Sequence, residues 1–241
     1  MGELCLGTLT RLILLIQTMN KVLIIGGTGK TGNLLAKDFL NLGVIPVCFG
    51  RTASKESVPS GALAFQGDSL NRSSLSSSME DVDAIVVCLS ISRDGGSPFS
   101  KVVGDRELHS KTMRSIVGLA KEQGIDRVLK VSAQGVGDSW NRAGILFRGL
   151  VVSSNLRTAF SDHELSDSIL SESGLNWTII RPPILGSSKS RHGLITGSKL
   201  RTRSYDSVSR EELSAWIVDN IGKDVYFKRC LTIKKAKRSF Q

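Results

Sequence analysis

Aromatic residues are scarce in this chain: they make up 5% of its 241 residues, and only two are tyrosines. Proteins that bind nucleic acid by stacking need aromatic platforms among their basic groups. Here few aromatics, Tyr205 and Phe227 among them, lie near the C-terminal basic clusters, so nucleic acid is not an expected partner. No apolar run approaches the roughly 18 residues of a membrane-spanning helix, which excludes one. The four cysteines, Cys5, Cys48, Cys88 and Cys230, are far apart and form no C-x-x-C pair. That argues against a zinc site or a disulfide framework and for a reducing compartment; no metal is expected. Acidic residues number 22 against 32 basic ones, a net charge of +10. The excess gathers in the C-terminal third, at Lys189, Arg191, Lys199, Arg201 and Arg203, and again from Lys228 to Arg238. A solvated face is the plainest explanation. A small anionic ligand, an anionic membrane surface or a protein partner on the basic tail are others.

What is present is a 40% hydrophobic, 22% charged composition, that of a globular protein with a real core. Residues 1–19 stand apart. Their apolar run, Leu12 to Ile16, is too short for a secretory signal, and Leu6 stands where a myristoylation signal needs Ser or Thr. They read as a disordered extension, or as residues upstream of a true start at Met19. The expected location is cytoplasmic, with organellar import by residues 1–19 left open.

From Lys21 the pattern is regular. Lys21–Ile25, Ile45–Phe49, Leu63–Gln66, Asp83–Leu89, Arg127–Val131 and Trp177–Ile180 read as strands, and Tyr226–Thr232 as a last one. Helical spacing recurs around Leu34, Leu35, Phe39 and Leu42, over 105–123, and over Asp162–Ser173. Ser209 and Glu212 form a capping box that opens a helix to Ile221. The serine-rich Ser73–Ser78 reads as a short surface helix. Strands alternating with helices predict an α/β Rossmann fold: one domain, a doubly wound parallel sheet, with small substrate-side insertions at 134–160 and 185–207. The domain spans 20–232, followed by a basic tail, 233–241.

The first strand runs into GGTGKTG, from Gly26 to Gly32. Three demands account for its G-x-x-G-x-x-G spacing. Gly26 permits the tight turn off the strand, Gly29 lets backbone approach a pyrophosphate, and Gly32 lets the helix pack on the strand. The anion then meets the unpaired N–H groups of a helix N-terminus. A Walker A loop is the competing reading, because Gly29, Lys30 and Thr31 match its end. It fails on Ile24, which stands where that loop needs its first glycine. After the second strand comes Arg51, where an acidic residue would select NAD. A planar cation there grips a 2′-phosphate, with Lys55 as a second charge, so the cofactor expected is NADP(H).

With these residues in hand, the chain resembles the atypical short-chain dehydrogenase/reductase group, of the NmrA-like and biliverdin-IX-beta-reductase/flavin-reductase type. The resemblance covers about residues 20–232. It rests on GGTGKTG, on Phe49–Gly50–Arg51, on Gly67–Asp68 and on Val131–Ser132–Ala133. It rests also on Asp162–His163–Glu164 with the following Leu170 to Leu175, and on Arg181–Pro182–Pro183. The resemblance implies that Thr28, Lys30 and Thr31 hold the pyrophosphate and that Arg51 and Lys55 take the 2′-phosphate. It implies that Asp68 and Ser69 flank the adenine, that Cys88, Leu89 and Ser90 lie along the ribose, and that Pro182, Pro183 and Ile184 border the carboxamide. Ser132 would sit beside the nicotinamide.

Catalysis has fewer candidates. The Tyr-x-x-x-Lys pair is absent, since Ser209 follows Tyr205 by four and Cys230 follows Tyr226 by four. Ser132 and His163 remain as polar groups for the reacting face. One departure is plain: the family's reductases carry histidine after the double proline, and this chain has Ile184. The reading is an NADPH-dependent reductase of a planar, conjugated, anionic acceptor, its pocket bordered by the basic segment Lys189–Arg203. The alternatives are a non-catalytic NADP-binding regulator or assembly subunit, and isomerase or lyase chemistry with retained cofactor.

Overall fold

Lys21–Ile25 forms β1, whose last four residues are buried. Its side chains alternate between two cores, Val22 and Ile24 on one face of the sheet, Leu23 and Ile25 on the other. A strand covered on both faces has no use for polar residues, which is why it reads as a continuous apolar run. The structure, a computed structural model, describes residues 19–186 and 193–236. Residues 1–18, Lys189, Arg191 and the tail from Lys237 lie outside the described residues.

The chain continues through α1 (Lys30–Asn41), β2 (Ile45–Gly50), β3 (Leu63–Gln66), α2 (Arg72–Ser78), β4 (Ala84–Val87), α3 (Leu108–Glu122) and β5 (Arg127–Val131). After a 3-10 turn at Gly137–Arg142 come α4 (Ile145–Ser153), α5 (Leu156–Ser171), β6 (Asn176–Arg181) and β7 (Ile184–Gly186). Then follow β8 (Leu194–Gly197), β9 (Ser207–Ser209), α6 (Arg210–Asn220) and β10 (Arg229–Lys235). The main sheet has the order β3-β2-β1-β4-β5-β6-β10-β8. Its pairs are parallel except β8 on β10, which is antiparallel. The order reverses at β1 and β4, the switch point where doubly wound sheets bind ligands. β7 and β9 form a separate parallel pair. This is the expected single Rossmann domain.

Helices α1 and α6 cover one face, through Leu35, Phe39, Leu213 and Ile217. Helices α2, α3 and α5 cover the other, through Leu75, Met113, Ile116 and Leu170. The expected capping box is present at the start of α6. β4 is shorter than expected, Ala84–Val87, and three other elements differ more. Helix α3 starts at Leu108, not 105, because Asp162 of the neighbouring α5 accepts the N–H groups of His109 (2.7 Å) and Ser110 (3.0 Å). Helix α5 starts six residues before Asp162. β10 begins at Arg229, after Lys228 at φ +54°, and runs to Lys235. Lys234 and Lys235 therefore belong to the sheet through β8, not to a tail. The segment 134–160 holds α4, whose Ile145 and Leu146 are largely exposed.

Candidate functional site

At the C-terminal end of β1 the backbone turns at Gly26, with φ +89°. A Cβ there would lie 2.9 Å from the Cys88 carbonyl oxygen. Gly32, in the first turn of α1, lies so close to the turn that a Cβ would overlap the Gly26 carbonyl oxygen. These two positions must be glycine for the helix to seat on the strand. Gly29, the N-cap of α1, is different: a Cβ there would meet only Gly26 O, at 3.2 Å. Its free side opens onto a cleft.

That cleft, of about 290 Å³, runs along the ends of β1, β2 and β4. Gly26, Thr28 and Gly29 form one wall, Arg51, Asp68 and Ser69 another, and Cys88, Leu89 and Ser90 the floor towards β4. The loop after β4 returns to close it with Val103–Asp105. Thr28 and Thr52 hydroxyls meet at 3.3 Å across the β1–β2 gap. Arg51 is exposed and its Nη2 reaches the Ser92 hydroxyl at 3.4 Å. Asp68 turns its carboxylate back to accept from Leu70 N at 2.9 Å. Ser69 is buried against Thr112, 3.0 Å between hydroxyls. Burial pushes the Cys88 thiol up to about 12, so it stays neutral; it donates to the Ile25 carbonyl.

Residues 26–224 match the model of a family described as NAD(P)H-binding. The chain belongs to that family. With the fold described above, it is an NAD(P)H-binding Rossmann-fold protein. It is similar to a wide-type short-chain dehydrogenase/reductase from Veillonella parvula solved in complex with NADP, at 17% identity and TM-score 0.71, covering 90% of this chain and 95% of that one. It is similar to ChuY from Escherichia coli O157:H7, described as an anaerobillin reductase, at 18% identity and TM-score 0.71, covering 92% and 100%. The oxidoreductase YlbE from Lactococcus lactis aligns at 17% identity and TM-score 0.71, covering 90% and 91%. At these identities the structural likeness speaks for the fold.

The site fits the family's cofactor on two counts. The open side of Gly29 at a helix N-terminus suits a phosphate, and an exposed guanidinium stands beyond β2. Of the other residues singled out in the sequence, Lys30 and Thr31 lie in the first turn of α1, beside the cleft and not on its wall. Lys55 is exposed, four residues past Arg51, and does not line it. Pro182 O accepts from Gln134 N at 2.9 Å, joining the ends of β5 and β6. Pro183 and Ile184 border a separate, very small cavity with Gln134 and Arg203. Its volume, about 10 Å³, is room for one water at most.

Ser132 and His163 are not on the cleft wall. Ser132 is buried, and its hydroxyl donates to Asp167 Oδ2 at 3.0 Å. His163 stacks on His109, ring centroids 3.8 Å apart, between α5 and α3. Burial, with Lys130 nearby, holds the His109 imidazole down at about 3. Burial, His109, Lys130 and Arg181 hold His163 well below its ordinary value. Both rings are therefore neutral near pH 7.

Sequence reasoning missed the group that organises this region. Asp167 on α5 accepts from Lys130 Nζ (2.5 Å), from Ser132, and from Arg181 Nε (3.2 Å) and Nη2 (2.9 Å). Arg181 also pairs with Asp138, which in turn holds Arg142. A lysine inside the apolar run Arg127–Val131 was the available signal, because a buried cation requires a partner.

Proposed function

We propose that the chain is an NADPH-dependent reductase that delivers hydride to a planar conjugated acceptor, a flavin, tetrapyrrole or quinone-like ring, without a tyrosine acid. The observation that carries this reading is the cleft, with a glycine cradle at a helix start, an arginine beyond β2, and neither tyrosine nor histidine on its wall. Tyr205 is 71% exposed, and Tyr226 packs on Trp216 at 5.1 Å between centroids, on the far side of the sheet from α3 and α5.

The bound cofactor supplies a hydride. The chain's own residues bind and orient. Gly26, Thr28 and Gly29 would meet the pyrophosphate, with Lys30 and Thr31 beside it in the first turn of α1, while Gly32 keeps α1 close. Arg51 would meet the 2′-phosphate, with Lys55 as a second charge beyond the cleft wall, which would favour NADPH over NADH. Asp68 and Ser69 flank the adenine, and Cys88, Leu89 and Ser90 the ribose. The resemblance would put Pro182, Pro183 and Ile184 at the carboxamide, while Pro183 and Ile184 line a separate cavity of about 10 Å³. Ser132, tied to Asp167, holds the end of β5 in place. No side chain of this chain is assigned the proton, which solvent or the substrate itself would supply.

The tetrapyrrole arm draws support from the likeness to ChuY; Ile184 counts against it. A second reading, a non-catalytic NADP-binding regulator or assembly subunit, is favoured by the exposed Ile145, Leu146 and Val152 of α4. No helix among the described residues is long and apolar enough to cross a membrane. The free Cys48, Cys88 and Cys230 fit a reducing, cytoplasmic setting, or an organelle if residues 1–19 act as an address. The deciding experiment mixes the protein with NADPH and a flavin, quinone or tetrapyrrole and follows nicotinamide absorbance. Turnover supports the reductase. Tight NADPH binding with no turnover of any of the three overturns it in favour of the regulator.

A further inference from the structure

Helix α4 breaks the usual division of a surface helix into a buried and a solvated face. Phe147 packs on Phe160 of α5, ring centroids 5.9 Å apart, and Val151 is buried. These two, four residues apart, form the inner face. The outer side carries Ile145, 74% exposed, and Leu146, 78% exposed, where polar residues would be expected. Val152, further along, lines a cavity of about 460 Å³ beyond the end of β5, together with Trp140, Arg157 and Phe160. Ile145 and Leu146 are not part of that lining.

The connection from β8 to β9 lies against the start of this helix. A Cβ at Gly144 would overlap Ser204 N, and the Ser204 hydroxyl accepts from Phe147 N at 3.3 Å. Thr202 N donates to Arg142 O at 3.0 Å. Along this connection Thr202 is buried and Ser204 half-buried, while Lys199, Arg201, Arg203 and Tyr205 are exposed. The alternation turns three cations and a tyrosine outward together. None of the three cations makes an ion pair among the described residues. Tyr205 is nearly as bare as the two aliphatic residues, at 71%, and its hydroxyl lies 2.9 Å from Arg203 Nη1. The acids at hand are engaged: Asp206 accepts from Arg203 N, and Asp138 is paired with Arg142 and Arg181.

We infer that this face, with Ile145, Leu146 and Tyr205 beside Lys199, Arg201 and Arg203, rests on the surface of a bilayer rich in anionic lipid. Apolar tips enter the boundary between headgroups and acyl chains, and the cations stay among the headgroups. A single exposed aliphatic residue needs no partner, but a cluster rimmed by charge marks an interaction face. Charge selects the occupant. A second copy would bring the same unpaired cations against themselves in a two-fold contact, which repels. A zwitterionic surface would leave them unanswered. Nucleic acid would meet the cations and leave two aliphatic side chains in water. The contact is peripheral, since no helix among the described residues is long and apolar enough to cross a membrane. The cofactor cleft is lined by other residues, so the inference holds for a reductase and for a regulator alike.

The test is co-sedimentation of the full chain with vesicles of phosphatidylcholine alone and of phosphatidylcholine with 30% phosphatidylglycerol. The chain is expected to sediment with the mixed vesicles and not with phosphatidylcholine, and to be released as salt rises. Arg201→Gln/Arg203→Gln should weaken the partition at least tenfold, about fivefold for each cation removed. Arg201→Lys/Arg203→Lys should retain it, because headgroups read charge and not guanidinium shape. Ile145→Ser/Leu146→Ser should weaken it about tenfold or more with the melting temperature unchanged. Hydrogen exchange of the wild type needs no variant: mixed vesicles should protect residues 145–148 and 199–205. No sedimentation with the mixed vesicles overturns the inference, as does equal binding to phosphatidylcholine alone. Binding that neither the glutamine pair nor the serine pair weakens, with no protection at these residues, places the lipid contact elsewhere in the chain and also overturns it. A wild-type dimer in analytical ultracentrifugation that Ile145→Ser/Leu146→Ser turns into a monomer would assign the face to a second copy instead.

Discussion

Lys130 and Asp167 form an ion pair at 2.5 Å with 1% and 6% of their side chains exposed, β5 to α5, beneath the strand ends where the site lies. Burial pulls the lysine pKa down, and the facing carboxylate opposes that shift. Asp167 is the only acid among the described residues that pairs with either buried cation except Asp138, which is itself 67% exposed. Removing it leaves Lys130 and most of Arg181 uncompensated. Asp167→Ala should therefore destabilise the fold by about 3–5 kcal/mol. Urea unfolding measures this. The double variant Lys130→Met/Asp167→Leu should recover part of the loss, and a single-variant loss under about 1 kcal/mol would contradict the buried-pair account.

Two glycines of one motif should respond in opposite ways. A Cβ at Gly29 meets only one carbonyl oxygen, at 3.2 Å, so Gly29→Val should fold and lose NADPH affinity. Gly32 has no such room, and Gly32→Val should fail to fold. Calorimetric titration and thermal melts separate the two. Wild-type NADPH affinity in folded Gly29→Val would exclude this loop as the phosphate site.

Arg51 should read the cofactor's 2′-phosphate. Its side chain is exposed and its single side-chain contact is the long one to Ser92, so little stability depends on it. Arg51→Ala should cost about 1.5–3 kcal/mol of NADPH binding and leave NADH nearly unchanged. Equal weakening of both would mean that Arg51 positions the adenine.

The histidine pair should make stability depend on pH. In the unfolded chain a histidine titrates near 6.5. In the fold, burial first and Lys130 second hold His109 down at about 3. Between those values the unfolded state binds the extra proton. Stability is thus fully present above about pH 6.5 and is lost as pH falls towards 3, by about 1.4 kcal/mol per pH unit per histidine. Melting temperatures from pH 7.5 to 5 should fall for the wild type and fall less for His109→Gln. Identical slopes would show that the pair does not titrate on unfolding.

Neither tyrosine should act as the acid. Tyr205→Phe and Tyr226→Phe should keep most reductase activity, since a positioned acid is worth about 10²–10⁴-fold and its removal is conspicuous. Ser132→Ala should lower the rate several-fold, through a looser β5 end. Steady-state rates with one flavin acceptor decide this; a thousandfold loss in a folded tyrosine variant with normal NADPH affinity would establish a tyrosine acid.

The cleft at the ends of β1 and β2 was legible because its residues are local in sequence. Gly26 to Gly32 is one strand-turn-helix, and Arg51 follows the next strand directly; a short apolar run and a glycine triplet carry the information. The cavity beyond the end of β5 was not. Helix α4 escaped notice because Ile145, Leu146, Phe147, Val151 and Val152 give no clean amphipathic stripe. The basic segment expected at the pocket contributes Arg203 only to a very small cavity, among the described residues, while Arg157, Phe160 and Trp140 surround the larger one.

Sequence by itself determined the alternation of strands and helices, the turn that must be glycine and the missing Tyr-x-x-x-Lys, because each depends on residues within a few positions of one another. Only the tertiary structure decided what Ser132 and His163 do. Strand alternation puts Ser132 on the same side of β5 as Lys130, facing Asp167, which lies 35 positions away in the chain. Stacking puts His163 on His109, from another helix. A buried charge takes its partner from whatever the packed layers bring within reach, and no local spacing encodes that.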